Sequence, residues 1–407
     1  MQIIENIENR SVNSFENQSE IQKFCLAKIK KNPLPNKKNE IWRLTSKKKL
    51  TDFLGYQFSN EFYKPKLPKN FINKNVIRII IGEKNKIEYK KNNWAVHQMK
   101  EQEIINLIKN KVIKSDDNEN WSDLLNHSLS DQNNIIGLNI SGKEIPPIEI
   151  FSNSKNNLFN AKTLILNIED NTEVNIVQVN LGDQNSSLSI SSYIFIGEES
   201  LVNHGIISQG EKNSNLINSL NVIQKKNSEY NLGSLQFKFN FARLEMNLNQ
   251  LQGNAKTKIK GMQITQNNEQ ISTYAKILFN GPNGFLDQLN KSLAKDTSHS
   301  IFEGLIIVPQ IAQKTDASQL SRNILLSNYA KIDTKPQLEI IADDVKCKHG
   351  ATISQLNENE LFYMRSRGLT LEEASKLQLK SYYQEIISFI PISKDKWDLL
   401  DLLLKKQ

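Results

Sequence analysis

The stretch from about residue 132 to 355 constrains this chain most: it is a succession of short segments of period-two hydrophobicity with no helical pattern between them. Leu164, Leu166 and Ile168 alternate with Ile165 and Asn167. Leu235, Phe237, Phe239 and Phe241 alternate with Gln236, Lys238 and Asn240, and Leu244, Met246 and Leu248 with Glu245 and Asn247. Successive side chains of a strand point to opposite faces, so each segment predicts a strand with at least one apolar face. Further on, Leu305 to Val308, Ile324 to Leu326 and Leu338 to Ile341 are each cut off within a few positions by polar or turn residues, the punctuation of short strands. Gly182-Asp183, Gly197-Glu198, Gly210-Glu211, Gly253-Asn254 and Gly281-Pro282 are turn signals between them.

So many short strands without intervening helices argue against a βαβ arrangement and leave a sandwich, a barrel or a solenoid. Asn-Gly, the strongest hairpin signal, occurs in this region only at Asn280-Gly281 and Asn283-Gly284, within one loop, which counts against a meander of hairpins. A parallel β-helix suits better. Each of its coils has only to point an apolar residue inward at alternate positions and let a short turn redirect the chain.

The flanks read as helix. Ile21, Phe24, Cys25 and Ile29 fall at helical spacing behind Ser19 and Glu20, and the pattern stops before Pro33 and Pro35; Cys25 on that stripe reads as core. Near the carboxy terminus, Asn357 with Glu360 starts a short helix ending at Gly368, and Thr370 with Glu373 forms a capping box for a second. Leu371, Ala374, Leu377, Tyr382, Ile386 and Phe389 mark the apolar face of that second helix, and a third carries Trp397, Leu400, Leu403 and Leu404. The expected division is a helical or mixed region over 1–130, a β-helix core over 131–355 and a helical segment over 356–407.

Composition narrows the function. The 52 Lys and Arg against 44 Asp and Glu give a net charge of +8, but the basic runs at Lys28 to Lys31 and Lys47 to Lys49 lack interleaved aromatics, so they read as solvated surface, with no nucleic-acid partner. Two cysteines are too few for a disulfide framework. The amino-terminal MQIIENIENRSVNSF lacks the apolar core of a signal peptide, and no window suffices to span a bilayer, which leads us to expect a soluble, cytoplasmic protein with no membrane partner. No GxxxxGK[ST], GxSxG, HExxH or GxGxxG sequence occurs, so no ATPase, hydrolase or dinucleotide site is expected, and no catalytic residue is nominated.

One place has plausible metal chemistry. Cys347 and His349 lie two residues apart, and on a strand that puts both on one face. A thiolate and an imidazole both ligate iron or zinc, although two ligands do not complete a site. The competing reading is that Val345, Cys347 and His349 all face the core, with Lys346 and Lys348 toward solvent. His204, beside Gly205, reads as a turn residue.

Several segments in order, AQKTDA at 312–317, NILLS at 323–327, TKPQLEI at 334–340, ADDVKCKHGAT at 342–352 and LFYMRSRG at 361–368, resemble the carboxy-terminal signature of the SufB/SufD family. Weaker similarity extends to Phe302-Glu303-Gly304, to Arg243, and to EIWRLT at 40–45, which is similar to the family's amino-terminal EEWRYT-like motif. The chain resembles the SufD branch more than the SufB branch. SufB carries a cysteine in the segment equivalent to Leu326–Ala330, where this chain has Asn328 and Tyr329, and a His-Glu-Ala where this chain has His349-Gly350-Ala351.

The resemblance implies a right-handed parallel β-helix flanked by helices, acting as a non-catalytic scaffold in a SufB, SufC and SufD complex that builds iron–sulfur clusters. It implies pairing with SufB through the last coils, or with a second copy in isolation, and docking of the SufC ATPase on the carboxy-terminal helices through Phe362, Tyr363, Arg365, Arg367 and Gly368. His349, with Cys347 beside it, would then face a transient cluster at the SufB interface. The complex would have room for a reduced flavin, and a plastid-encoded chain would act in the stroma. The alternative is a secreted carbohydrate-active β-helix enzyme. Adjacent Asp343 and Asp344 would point to opposite faces of a strand and could not work as its acid and base.

Overall fold

The computed structural model describes residues 20–35, 40–65, 76–84, 87–112, 121–130, 132–392 and 399–404. The amino-terminal stretch and Trp397, both used above, lie outside them. The first elements are α1 (Glu20–Lys31), α2 (Lys47–Phe53), β1 (Gln57–Phe58), β2 (Ile77–Ile80), β3 (Glu88–Lys91), β4 (Trp94–Gln98), α3 (Glu101–Val112) and α4 (Trp121–Leu129).

Sixteen strands follow: β5 (Ile135–Gly142), β6 (Ile148–Ser154), β7 (Leu158–Ile168), β8 (Glu173–Gly182), β9 (Ser187–Ile196), β10 (Leu201–Gly210), β11 (Asn215–Gln224), β12 (Glu229–Phe237), β13 (Phe241–Gln250), β14 (Lys256–Thr265), β15 (Gln270–Phe279), β16 (Phe285–Ala294), β17 (His299–Val308), β18 (Asp316–Leu325), β19 (Lys331–Ile340) and β20 (Lys346–Ser354). Helices α5 (Glu358–Ser366), α6 (Leu371–Ile387) and α7 (Leu399–Leu404) close the chain.

Among β5 to β20, odd strands pair with odd and even with even, always in parallel, so the chain winds as a flattened solenoid of two facing sheets. Asn175 lies beside Asn203, and Asn203 beside Asn231, so one circuit takes 28 residues there. The side-chain amides of those three form a ladder, Asn203 donating to Asn175 at 2.9 Å and Asn231 to Asn203 at 3.0 Å. The five glycine-led turn signals all fall at corners between strands.

The corners have a common chemistry. Asn157, Asn171, Asn185, Glu199, Asn213 and Asn227 all have φ between 52° and 62°, the left-handed region that asparagine tolerates better than most residues. They stand fourteen positions apart, one per half-coil. The hydroxyl of the next residue then locks the corner, Ser186 donating to Asp183 O at 2.6 Å, Ser214 to Glu211 O at 2.6 Å and Ser228 to Lys225 O at 2.7 Å.

The alternation from Leu235 to Phe241 is not one strand. β12 ends at Phe237, Lys238 turns the chain with φ 63°, and β13 starts at Phe241. The period of two carries across the corner while the faces change, so Phe237, Phe239 and Phe241 enter three different apolar clusters. His204 is likewise no turn residue: it lies in mid-β10, fully buried, with Nδ1 2.9 Å from the Tyr230 hydroxyl.

The interior between the sheets is lined by Ile, Leu and Val. Outside the odd sheet pack α1, α4 and the stretch around Trp42, with Cys25 fully buried among them. Outside the even sheet pack α6, Ile390 and α7, where Leu399 and Leu403 are buried. Gly205 and Gly233 are neighbours in register, and a Cβ on either would come within 2.8 Å of Ile390, so the pair forms the trough that seats it. On α6 the buried face is Ala374, Leu379, Tyr383 and Ile386, whereas the expected Leu371 and Leu377 point to solvent. Leu379 and Tyr383, one turn apart, set the true stripe.

The two ends of the solenoid differ. At the first, β4 pairs antiparallel with β5, β3 follows it, and β2 pairs with β6, so short strands finish both sheets. At the last, β19 and β20 have a neighbour on one side only among the described residues.

Candidate functional site

An edge strand leaves one row of backbone N–H and C=O groups unpaired, and a solenoid's last coil also leaves its inward side chains without a layer above. Both conditions hold at β19 and β20. Cys347 stacks over Ala317 and His349 over Gln319, two inward positions of β18 that are buried. The column under His349 runs back through Gln319, Gln288, Ile259 and Leu232 to His204, and each of these is buried. His349 holds the same inward register and is exposed, solely because its coil is the last.

The seat beneath it is built closely. Gln319 donates its amide to Gln288 Oε1 at 2.8 Å, and on the facing sheet Gly304 makes room, since a Cβ there would lie 2.3 Å from Gln319 Nε2. Cys347 is half-buried and packs with Val345 on the interior apolar cluster. Burial pushes its thiol up, the Asp316 carboxylate adds to this, and the Ala317 backbone opposes, so the resting group is a thiol. Val345, Cys347 and His349 thus share the inward face, with only His349 fully presented, while Lys346 and Lys348 are exposed. Among the described residues no three His, Cys, Asp or Glu side chains converge as a metal site. Any ion or cluster held at Cys347 and His349 must take further ligands from elsewhere. Apolar side chains accompany the two: Tyr329, Ile340, Ile341 and Ile353 are exposed around the same rim.

The second exposed feature is α5. Asn357 caps it, its side-chain oxygen accepting from Asn359 N at 3.0 Å and Glu360 N at 3.2 Å, and Gly368 ends it with φ +94°. None of its residues is buried; Phe362 is 74% exposed and Tyr363 59%. The Arg367 guanidinium lies over the Tyr363 ring at 5.2 Å and donates to its hydroxyl at 3.2 Å. Arg365 and Gly368 are exposed on the same arm. Phe362 and Tyr363 are thus adjacent exposed aromatics on a helix that buries none of its own residues, so the arm presents apolar surface to solvent.

The arm is carried by α6. Gln378 donates to Asn357 O at 3.0 Å, and α6 begins with the expected capping box at Thr370 and Glu373. Lys291 in β16 pairs with Glu385 at 2.6 Å and donates to Tyr382 O at 3.0 Å, while the Tyr382 hydroxyl donates to Arg322 O at 2.5 Å. These anchors were not visible in the sequence, because their partners lie 60 to 94 positions away and no local pattern links them.

A third element meets the rim from outside. The stretch at 40–46 lies along the outer face of the odd sheet: Glu40 pairs with Lys335 of β19, and Trp42 stacks on the Arg243 guanidinium at 4.0 Å. Arg243 is buried and ion-paired to Glu245. Nearby, burial pushes the Glu303 carboxyl up against the opposing charges of Arg243 and Lys335.

The model of the SufBD core domain of the SUF system for iron–sulfur cluster assembly matches residues 150–382, more than half of the chain. An iron–sulfur cluster assembly SufBD family protein of Synechocystis is 35% identical over 240 residues, 56% of this chain and 53% of that protein. The iron–sulfur cluster assembly protein SufD of Escherichia coli is 39% identical over 140 residues, 34% of this chain and 33% of that one. The chloroplastic protein ABCI7 of Arabidopsis thaliana is 30% identical over 236 residues, 57% and 50% of the two chains. This chain therefore spans about half or less of the length of these relatives.

Proposed function

The chain belongs to the SufBD core family of the SUF iron–sulfur cluster assembly system, and on that premise we propose that it is a non-catalytic scaffold subunit of the SufD type. Its open coil pairs with the corresponding coil of SufB, and α5 with the start of α6 docks the SufC ATPase through Phe362, Tyr363, Arg365, Arg367 and Gly368. The observation that carries this reading is the last coil itself: inward positions that are buried one coil earlier are half-buried at Cys347 and exposed at His349, on an edge left unpaired among the described residues. A second solenoid end laid against it would complete both ladders and cover Ile340, Ile341 and Ile353. The chain alone closes the same edge with a second copy.

In the heterodimer His349 offers its imidazole to a cluster in transit, with SufB supplying the remaining ligands. Cys347 joins only if its thiol is deprotonated on binding, which its half-buried position opposes. A reduced flavin belongs to the assembled complex and not to this chain. ATP-driven approach of two SufC subunits would pull on α5, and the anchors Lys291, Tyr382 and Ile390 would pass that pull to the even sheet. No helix of the described residues is long and apolar enough to cross a membrane, and the chloroplastic relative fits work in a plastid.

The experiment is co-expression with SufB and SufC, followed by cluster reconstitution on the purified complex. His349→Ala should leave the complex intact and lower cluster loading by at least about tenfold, the usual loss on removing a metal-site group. Unchanged loading with intact assembly removes the ligand role, and failure of SufB and SufC to copurify with the wild-type chain removes the scaffold reading.

A further inference from the structure

The stretch at 40–46 does more than cover apolar surface, because one side chain grips it by its backbone. Gln270 of β15 accepts from Ser46 N at 3.0 Å through Oε1 and donates to Leu44 O at 3.2 Å through Nε2. A backbone N–H can only donate and a backbone carbonyl can only accept, so this amide has one orientation. Its second amide hydrogen faces His299 Nδ1 at 3.0 Å. Nδ1 must therefore carry a lone pair, which leaves the ring proton on Nε2, and Nε2 lies 2.6 Å from Asp333 Oδ2. Backbone groups of the amino-terminal stretch thereby dictate the tautomer of a histidine two strands away, and that histidine holds the edge strand β19.

We propose that Gln270 and His299 form a proton-gated brace, which ties the 40–46 stretch to β19 while His299 is neutral and lets go when its Nδ1 takes a proton. A protonated Nδ1 would face the Gln270 amide as donor against donor. Gln270 could avoid this only by rotating, which drops both Leu44 and Ser46. Among the described residues the charged groups facing His299 are both on β19: Asp333, which favours the imidazolium, and Lys331, whose Nζ shares the same carboxylate oxygen at 2.9 Å and opposes it. Gln270 on β15 and the backbone at 44 and 46 are neutral. Burial holds His299 below the ordinary imidazole value in spite of Asp333, so the neutral form dominates at neutral pH. The brace is complete above the unfolded value near 6.5 and is lost as the pH falls through the lower folded value. Glu40 with Lys335, and Trp42 on Arg243, still hold the front of the stretch, so what is released is the bracket at 44–46 and the grip on β19.

The proposal concerns this chain alone and holds whichever partner occupies the rim. It is tested by amide hydrogen exchange on the full chain at about pH 7.5 and at a lower pH where the His299 nitrogen shifts show the imidazolium, corrected for intrinsic rates. Protection of 44–46 and of 331–340 should fall at the lower pH by about tenfold more in the wild type than in His299→Gln. His299→Gln preserves an acceptor toward Gln270 and a donor toward Asp333 but cannot titrate, so it should show only the background fall that the other buried histidines impose on the whole chain. The same fall in His299→Gln, or no fall in the wild type, overturns the proposal. Nitrogen chemical shifts of the wild-type histidines supply an arm that needs no variant: at about pH 7.5 His299 should show the Nε2–H tautomer, and an Nδ1–H tautomer or an imidazolium there overturns it as well.

Discussion

His204 and His349 occupy the same column of the same sheet, yet they are different chemical objects. His204 has coils on both sides, is fully buried against the Tyr230 hydroxyl, and burial pushes its pKa down to about 3. His349 has a coil on one side only and meets solvent. Nothing in the residue or its strand position separates them. In a stacked coil, the availability of a side chain is set by the rank of its turn, so function concentrates where stacking stops.

The severest test of that contrast is a charge placed in the column. Leu232→Lys, one coil above His204, should cost more than about 4 kcal/mol or prevent folding, whereas His349→Lys should change stability by less than about 0.5 kcal/mol. Urea unfolding of both variants decides it, and equal losses would erase the difference between interior and rim. His204→Ala comes next. It deletes a packed ring and leaves the Tyr230 hydroxyl alone, so it should cost about 2–4 kcal/mol, with His349→Ala again near zero.

Acid gives a smaller effect of defined sign. His127 is also buried, its Nε2 2.7 Å from the Tyr193 hydroxyl, and burial lowers its pKa to about 4 in spite of nearby Asp123. Both histidines stay neutral in the folded chain and protonate in the unfolded one from about pH 6.5. The unfolded state therefore binds more protons, and stability is lost as the pH falls from about 6.5 toward the folded values. At about pH 5 each should remove about 2 kcal/mol relative to pH 7.5, read as a lower urea midpoint, with the His204→Ala variant showing the smaller slope. The least effect is expected at a corner. Lys314 holds φ 60° where early coils use asparagine, and Lys314→Asn should add a few tenths of a kcal/mol to the thermal unfolding free energy.

Much of this arrangement was legible in the sequence because a strand's period of two survives any tertiary context. It misled at Phe239, where an unbroken alternation spans a corner and changes sheet. The corner was itself written in the chain: Asn171-Thr172, Asn185-Ser186, Asn213-Ser214 and Asn227-Ser228 stand at multiples of fourteen, a regularity that reveals the coil length once asparagine's tolerance of positive φ is considered. The helical caps at Asn357 and Thr370 were readable because a cap is local chemistry. The bracket around 44–46 was not. Gln270 lies 224 positions from Ser46, and no local pattern foretells which strand a loop will cross. Nor could exposure of His349 be read from its own surroundings, since Val345, Cys347 and His349 alternate just as any interior row does.

The fourteen-residue corners have a consequence for the length of the molecule. A deletion or duplication of 28 residues within β8 to β12 would change the stack by one rung, roughly 4.8 Å, and leave the terminal caps and the rim chemically unaltered. One of 14 residues would hand the final edge to the opposite sheet, turning every later strand over to the wrong flank. Growth by whole circuits only makes such a protein a gauge of discrete lengths, able to vary the distance between its two ends while keeping what each end presents.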